Sequence, residues 1–527
     1  MSNATSPKSF TLWLFLIALS FIVTFWGFVT PLFEFPDEQV HLETVDYVAR
    51  YGHVPGNFTP DVTLEMYKTQ ELLGTLRNDQ GQNNYTYHPE YRLEYVNSLL
   101  GKYEDEIKSF NTPNNRLIKV KLEGARYPLA YYLYSSYWLK LVGSSDIITR
   151  SFAVRLGSLP LALFMAYFIY QTGMLLFHHS KLALTLTALT FLQPMFSFVT
   201  AGTNSDNLHN LLFFALVYYC LLLIKHGLSR QTLASLLIIS VLDIYTKTQG
   251  YLTVPLIALA IFISVLRQRH WKTLVLLSIL STVFLLFTTE KWLGFLTSAN
   301  NRGVSFIPFL NFSINKLISQ NIVWYWGVFK WLGVVLPPLY WQLANRVVLL
   351  SAAGLGLYGW KILKKKKIIA DPYITFYLLV SCIFYALAIY WADWVHHKNL
   401  GYSMGIQARY FFPTINAHIA LLMTGILSLG WSSRIRLWLR RGLVFLFFWL
   451  QLGGLWRLLT SYYSLSSLPE FITQISQYKP FYLKGDWWYL WGIIYLVSLT
   501  YLLKKLLAVD SSRLDQLPQK PPSNKVV

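Results

Sequence analysis

Cysteine is almost missing: Cys220 and Cys382 are the only two in 527 residues, and both fall inside apolar stretches. Neither a disulfide framework nor a thiolate metal centre can be built from them. Charge is scarce as well, at 13% of residues, and acids are the rarer sign, 25 against 45 Lys and Arg. The net charge of +20 forms no continuous basic domain. Its residues stand in short clusters between apolar spans, the pattern of membrane topology and not of nucleic-acid binding. A P-loop, an HExxH helix and a paired CxxC are also lacking. Nucleotide hydrolysis and zinc proteolysis therefore have no support, and serine hydrolysis is not expected. No internal repeat is visible, which argues against a two-half transporter.

What is abundant is apolar, 54% of residues, with 17% aromatic. Stretches of spanning length recur, which predicts an all-α polytopic membrane protein. Twelve spans are expected, at 10–30, 152–177, 182–200, 207–224, 232–246, 252–266, 273–289, 347–363, 373–391, 410–430, 442–459 and 487–503. The first is too long for a cleaved signal segment and reads as an anchor. The stretch 127–142 is short and crowded with Tyr131, Tyr132, Tyr134, Tyr137 and Trp138, so it is placed at the membrane interface. A second aromatic stretch, around Trp324, Trp326, Trp331 and Tyr340, reads as another interfacial helix and turn.

With this count the basic clusters fall on one side: Lys181; Lys225 and Arg230; Arg267, Arg269 and Lys272; Lys361 and Lys364 to Lys367; Arg434, Arg436, Arg440 and Arg441; Lys504, Lys505 and Arg513. That side is cytoplasmic by the positive-inside rule, and both termini lie there. Residues 1–506 then form one transmembrane domain, with extracytoplasmic segments at 34–150, 290–345 and 461–486. Residues 507–527 form a disordered cytoplasmic tail.

Chemistry is expected on the outer side. Pro36 can open a helix, which places Asp37 and Glu38 in its first turn and His41 on their face. A carboxylate at a membrane boundary is a candidate general base or cation ligand; an acidic helix cap is the alternative. Asp206, in Gly202-Thr203-Asn204-Ser205-Asp206, belongs to the next outer turn. Asp243 stands four residues before Lys247, a spacing that suits an ion pair on one helix face. Arg409 enters a span from the outer side, against the charge bias, and needs an anion; a carboxylate or a lipid phosphate would serve. His396 and His397 precede it. Gly354-Leu355-Gly356-Leu357-Tyr358-Gly359 fits GxGxxG, but inside an apolar span it predicts close helix packing.

Four strings, Pro36-Asp37-Glu38 with His41, Arg126-Tyr127-Pro128-Leu129-Ala130-Tyr131-Tyr132, Asn204-Ser205-Asp206 and Gln407-Ala408-Arg409-Tyr410-Phe411-Phe412-Pro413, occur in that order. In this the chain resembles a bacterial family of unknown function within the GT-C superfamily of membrane glycosyltransferases. Protein O-mannosyltransferases and lipid A aminoarabinose transferases are better-understood members. Relatives tend to carry His-Pro-Pro-Leu where this chain has Arg126-Tyr127-Pro128-Leu129.

The resemblance implies a bacterial inner-membrane enzyme that moves a sugar from a polyprenyl-phosphate donor to an extracytoplasmic acceptor. A glycan, lipid or protein of the envelope could be that acceptor. It assigns catalysis to Asp37, Glu38 and Asp206, and substrate contacts to His41, Arg126, Lys247, His396, His397 and Arg409. Charge on the leaving phosphate would be met by those basic residues alone or by Mg²⁺ or Mn²⁺ held by Asp37, Glu38, His41 and Asp206. A polysaccharide polymerase or ligase, and a transporter or flippase of a lipid-linked substrate, are the competing classes.

Overall fold

The computed structural model describes residues 9–56, 62–76, 93–96, 101–111, 117–118, 128–268 and 306–508. Helices α1 (Ser9–Val29), α2 (Glu38–Tyr51) and α3 (Leu64–Leu73) come first, then α4 (Glu104–Ser109), α5 (Ala130–Leu141), α6 (Ile147–Leu156) and α7 (Ser158–Phe177). The chain continues through α8 (Ser180–Phe191), α9 (Pro194–Ala201), α10 (Asp206–His226), α11 (Arg230–Ile244), α12 (Thr253–Gln268) and α13 (Phe306–Lys316). It closes with α14 (Pro338–Leu363), α15 (Pro372–Leu400), α16 (Ile415–Ser428), α17 (Ser433–Tyr462), α18 (Leu468–Ile475) and α19 (Trp487–Leu507). Two tiny antiparallel ladders complete it, β1 (Val62–Thr63) with β2 (Leu117–Ile118) and β3 (Val328–Phe329) with β4 (Val334–Val335).

Among the described residues nine helical stretches are long and apolar enough to cross a membrane, and α8 with α9 makes a tenth if that pair, bent by 69°, counts as one span. The bend has a local cause. Pro194 removes a backbone donor at Leu192-Gln193-Pro194, and the Gln193 side chain caps the new helix by accepting from the Phe196 amide. Helix α11, at 15 residues, is too short to qualify by itself, and 273–289 lies outside the described residues. The tail expected at 507–527 lies outside them too from residue 509.

Where apolar surface alone cannot drive association, as in lipid, close approach does. Gly354 of α14 and Gly425 of α16 meet so tightly that a Cβ on Gly354 would stand 2.1 Å from the Gly425 carbonyl oxygen. That contact accounts for the first glycine of the GxGxxG string. Tyr340 stacks on Trp449 with ring centres 4.0 Å apart, joining α14 to α17.

Among the described residues the basic clusters gather at one end of the helices. There Arg440 donates to Thr185 Oγ1 at 3.1 Å and to the Leu506 carbonyl at 2.7 Å, and Lys361 to the Ser428 carbonyl at 2.6 Å. Arg267 pairs with Asp371 at 2.9 Å. Both aromatic stretches differ from the simple interfacial picture. At 12 residues α5 is too short to span, but it buries Tyr131 and Tyr132 against protein and exposes only its outer face. The stretch around Trp331 is the β3–β4 hairpin, whose turn holds Lys330, Trp331 and Leu332 at positive φ.

Candidate functional site

Helix α1 stops at Thr30-Pro31, and its last carbonyls are met by cations from distant parts of the chain. Arg155 of α6 donates to the carbonyls of Gly27, Thr30 and Pro31 at 3.0, 2.7 and 2.6 Å. Lys479, 1% exposed, donates to those of Phe28 and Thr30 at 2.6 and 2.8 Å. Positive charge at a helix C-terminus is favoured by the backbone dipole. The same Arg155 grips both oxygens of Glu38 at 2.7 and 2.6 Å. The corner between α1 and α2 is further pinned by Tyr462 Oη donating to Glu34 at 2.8 Å and Trp331 Nε1 to the Phe33 carbonyl at 3.1 Å.

At the end of this corner Asp37 sits in the left-handed region, φ 58°, as the residue before α2. Its carboxylate pairs with Arg409. Arg409 is 4% exposed and also lies 3.8 Å from Asp206, whose other oxygen takes Lys247. Both cations lie against the Tyr410 ring, at 5.3 and 5.2 Å. Asp37, Arg409, Asp206 and Lys247 therefore form one alternating chain of charge, with two carboxylates balancing two cations. Burial makes that balance matter: removing one partner of a buried pair strands the other in a poor solvent for charge.

Packing forces the two acids together. Phe35 lies so close over Gly202 that a Cβ there would stand 2.5 Å from its ring. Asn207 then ties the Asp206 turn down, donating to the Thr200 and Gly202 carbonyls at 3.0 and 2.8 Å. The Asn/Ser/Asp run is thus no simple cap: Ser205, at the cap position, makes no side-chain cap bond. Lys247 arrives by a different route from the one its spacing predicts. Helix α11 ends at Ile244 and the backbone of Lys247 is extended, so its side chain crosses to Asp206 of α10 and not back to Asp243.

The other expected residues scatter. Glu38 is buried against Arg155, away from the charge chain. His41 lies beside the chain, its Nδ1 2.9 Å from Tyr132 Oη. Burial pulls its pKa down to about 4, with Asp37 and Asp206 pulling the other way, so the ring is neutral near pH 7. His397 stacks on Phe312 at 5.2 Å, and His396 meets Tyr402 edge-on at 5.1 Å; these rings, and not the charge chain, are their neighbours. Arg126 lies outside the described residues. Among the described residues no group of three or more His, Cys, Asp or Glu, the set Asp37, Glu38, His41 and Asp206 included, is arranged to hold a metal ion. One string, Gly401-Tyr402-Ser403-Met404-Gly405, does have the GxSxG spacing of a serine nucleophile elbow. It follows a helix instead of a strand, and Ser403 Oγ donates to Asp393 at 2.8 Å, so the context of an elbow is missing.

His209 was not foreseen. It is fully buried one turn beyond Asp206, with Nδ1 2.6 Å from Asp243 and Nε2 3.3 Å from Tyr385 Oη. An ionisable residue inside an apolar span was the available signal. Also unforeseen is an apolar cavity of about 390 Å³, walled by Ile322, Tyr325, Val348, Leu355, Tyr390 and Phe411 among others. Phe411, two residues beyond Arg409, lines it, and its ring packs on Tyr390 at 5.3 Å.

A family model described as a predicted membrane protein, DUF2142, matches residues 19–417 of the 527. No curated protein matches the chain. Among solved structures, the apo crystal structure of ArnT from Cupriavidus metallidurans aligns over 95% of this chain and 78% of that one, at 13% identity and a TM-score of 0.38. That likeness is too distant to transfer residues or activity.

Proposed function

The chain belongs to the DUF2142 family of predicted membrane proteins, and from that footing we propose that it is a GT-C-type glycosyltransferase of the bacterial inner membrane. It moves a sugar from a polyprenyl-phosphate donor to a hydroxyl of an acceptor on the outer face. The observation that carries this reading is the junction of two chemistries at one place. Two cations stand together, Arg409 buried and Lys247 half-buried, and Phe411, two residues beyond Arg409, lines an apolar cavity. A lipid phosphate needs both: a slot for the chain and matched charge for the head.

In the reaction Asp37 takes the proton of the acceptor hydroxyl while its oxygen attacks the anomeric carbon. The bond from that carbon to the phosphate oxygen breaks, and the electron pair leaves on the lipid phosphate. Arg409 and Lys247 meet the charge that develops there, and Asp206 holds both cations in position. Donor binding requires Arg409 to exchange the Asp37 carboxylate for phosphate, which uncovers Asp37 for its role. Glu38 serves as a strut for the corner. Neutral His41 beside Asp37 offers a hydrogen-bonding surface to the sugar or acceptor.

The test is reconstitution of the purified protein with a panel of polyprenyl-phosphate sugars, following loss of the lipid-linked donor. Turnover of one donor by the parent and its loss in Asp37→Asn supports the reading. Failure of the parent to turn over any donor returns the protein to the transporter or flippase class.

A further inference from the structure

Lys247 lies beyond the end of its helix, and a side chain in such a place is held only by what surrounds it. Two rungs join α10 to the end of α11. The outer is Asp206 to Lys247. The inner, one turn deeper on α10, is His209 to Asp243 at 2.6 Å, with both side chains fully buried. Asp243 is joined to Lys247 a second time, through the backbone: its carbonyl accepts from the amides of Thr246 and Lys247 at 2.9 and 2.8 Å, closing the turn that carries the lysine outward. The turn is locked from behind by Gly250, where a Cβ would stand 2.5 Å from the carbonyl carbon of Asp243.

We propose that His209 and Asp243 are positioning residues: the inner rung fixes the rotation of α10 and the place where α11 ends, and so holds Lys247 on Asp206. The hydrogen-bond pattern assigns the histidine tautomer. With Nδ1–H donating to the carboxylate, Nε2 is left to accept from Tyr385 Oη at 3.3 Å, so α15 supports the rung. The arrangement resembles the way a carboxylate and a neighbouring group orient a working histidine, except that here the histidine orients others. A lysine released from this brace could still carry charge, but at no fixed distance from a phosphate. The mechanical half of the inference is independent of the activity, whereas the phosphate-placing half rests on the glycosyltransferase reading.

The mechanical half is tested by brief acetylation of the detergent-solubilised full chain with acetic anhydride, read by peptide mass spectrometry at Lys247 and Lys479. Lys479 belongs to the α1 corner, so it reports general loosening. In Asp243→Asn, labelling of Lys247 is expected to rise roughly tenfold, the scale of one lost charge-assisted hydrogen bond, with Lys479 unchanged. Tyr385→Phe, a milder change, should move Lys247 the same way by less. Unchanged Lys247 labelling in both variants, or an equal rise at Lys479, overturns the inference. If the parent turns over a donor, the loss of kcat/KM from Asp243→Asn should fall mainly on kcat, since Lys247 meets charge that develops during the reaction, and should disappear in a Lys247→Ala background. Equal losses in both backgrounds overturn the phosphate-placing half, while a parent without turnover counts against the reading and leaves the labelling to decide the brace.

Discussion

At the scale of single residues the site is an exchange of partners. Asp37 and Arg409 hold each other in the free protein, and in the proposed reaction each takes a different task once a donor arrives. Asp37→Asn is therefore expected to lower turnover by ~10² to 10⁴, the usual worth of general-base assistance, with donor binding retained because Arg409 keeps Asp206 nearby. Arg409→Ala should weaken donor use more than Arg409→Lys, since lysine retains the charge but loses the planar fork; initial rates at subsaturating donor check this. His41 makes a prediction about pH. Its folded pKa of about 4 lies below the unfolded value of 6.5, so the unfolded chain binds the extra proton. Its contribution is intact above pH 6.5 and is lost as pH falls towards 4, to a limit of about 3 kcal/mol. Thermal melts in detergent should show the parent losing stability across that window faster than His41→Gln. Asp37, Asp206 and Arg409 were legible because acids just beyond a span, and an arginine on the wrong side of one, are out of place in so apolar a chain. The pairing of Glu38 with Arg155 was not legible, because the two stand 117 residues apart and nothing local marks it.

At the scale of elements the spacing rules worked while a helix continued and failed where it stopped. Asp243 and Lys247 have the separation of an ion pair on a helix face, but the helix ends between them and the lysine turns to another partner. Nothing in residues 243–247 announces that end. The aromatic richness of α5 read as interfacial also has a second cause, for Tyr132 is used by His41 and Tyr134 Oη donates to the Gly157 carbonyl at 2.6 Å. Spans with internal breaks, such as α8 and α9, were seen in sequence as one apolar run, since hydropathy records composition and not direction. Gly202 is the element-level test of the site. Gly202→Ala forces Phe35 away, so it should cost about 1–3 kcal/mol and lower activity together, by parting the corner that holds Asp37 from the turn that holds Asp206. Thermal melting and donor turnover measured on the same preparation check both.

At the scale of the whole molecule, polarity is the organising fact. The charge chain of Asp37, Arg409, Asp206 and Lys247 occupies one end of the helices, and the lysine and arginine clusters, among the described residues, occupy the other. If those clusters face the cytoplasm, a reporter fused after Lys367 should be cytoplasmic and one inserted near Asn83 extracytoplasmic; both on one side would overturn the orientation. The fastening of the α1 corner by Lys479 has a consequence for biogenesis. A chain threaded into the membrane from its N-terminus exposes the Phe28 and Thr30 carbonyls within its first 30 residues; Arg155 supplies a donor to Thr30, but the Lys479 amine that meets Phe28 comes 451 residues after it. Until Lys479 is delivered, the Phe28 carbonyl must lean on lipid headgroups, water or a chaperone. Nascent chains released before residue 479 should accordingly be inserted but protease-sensitive near residue 35, and maturation of the site should be among the last events of synthesis.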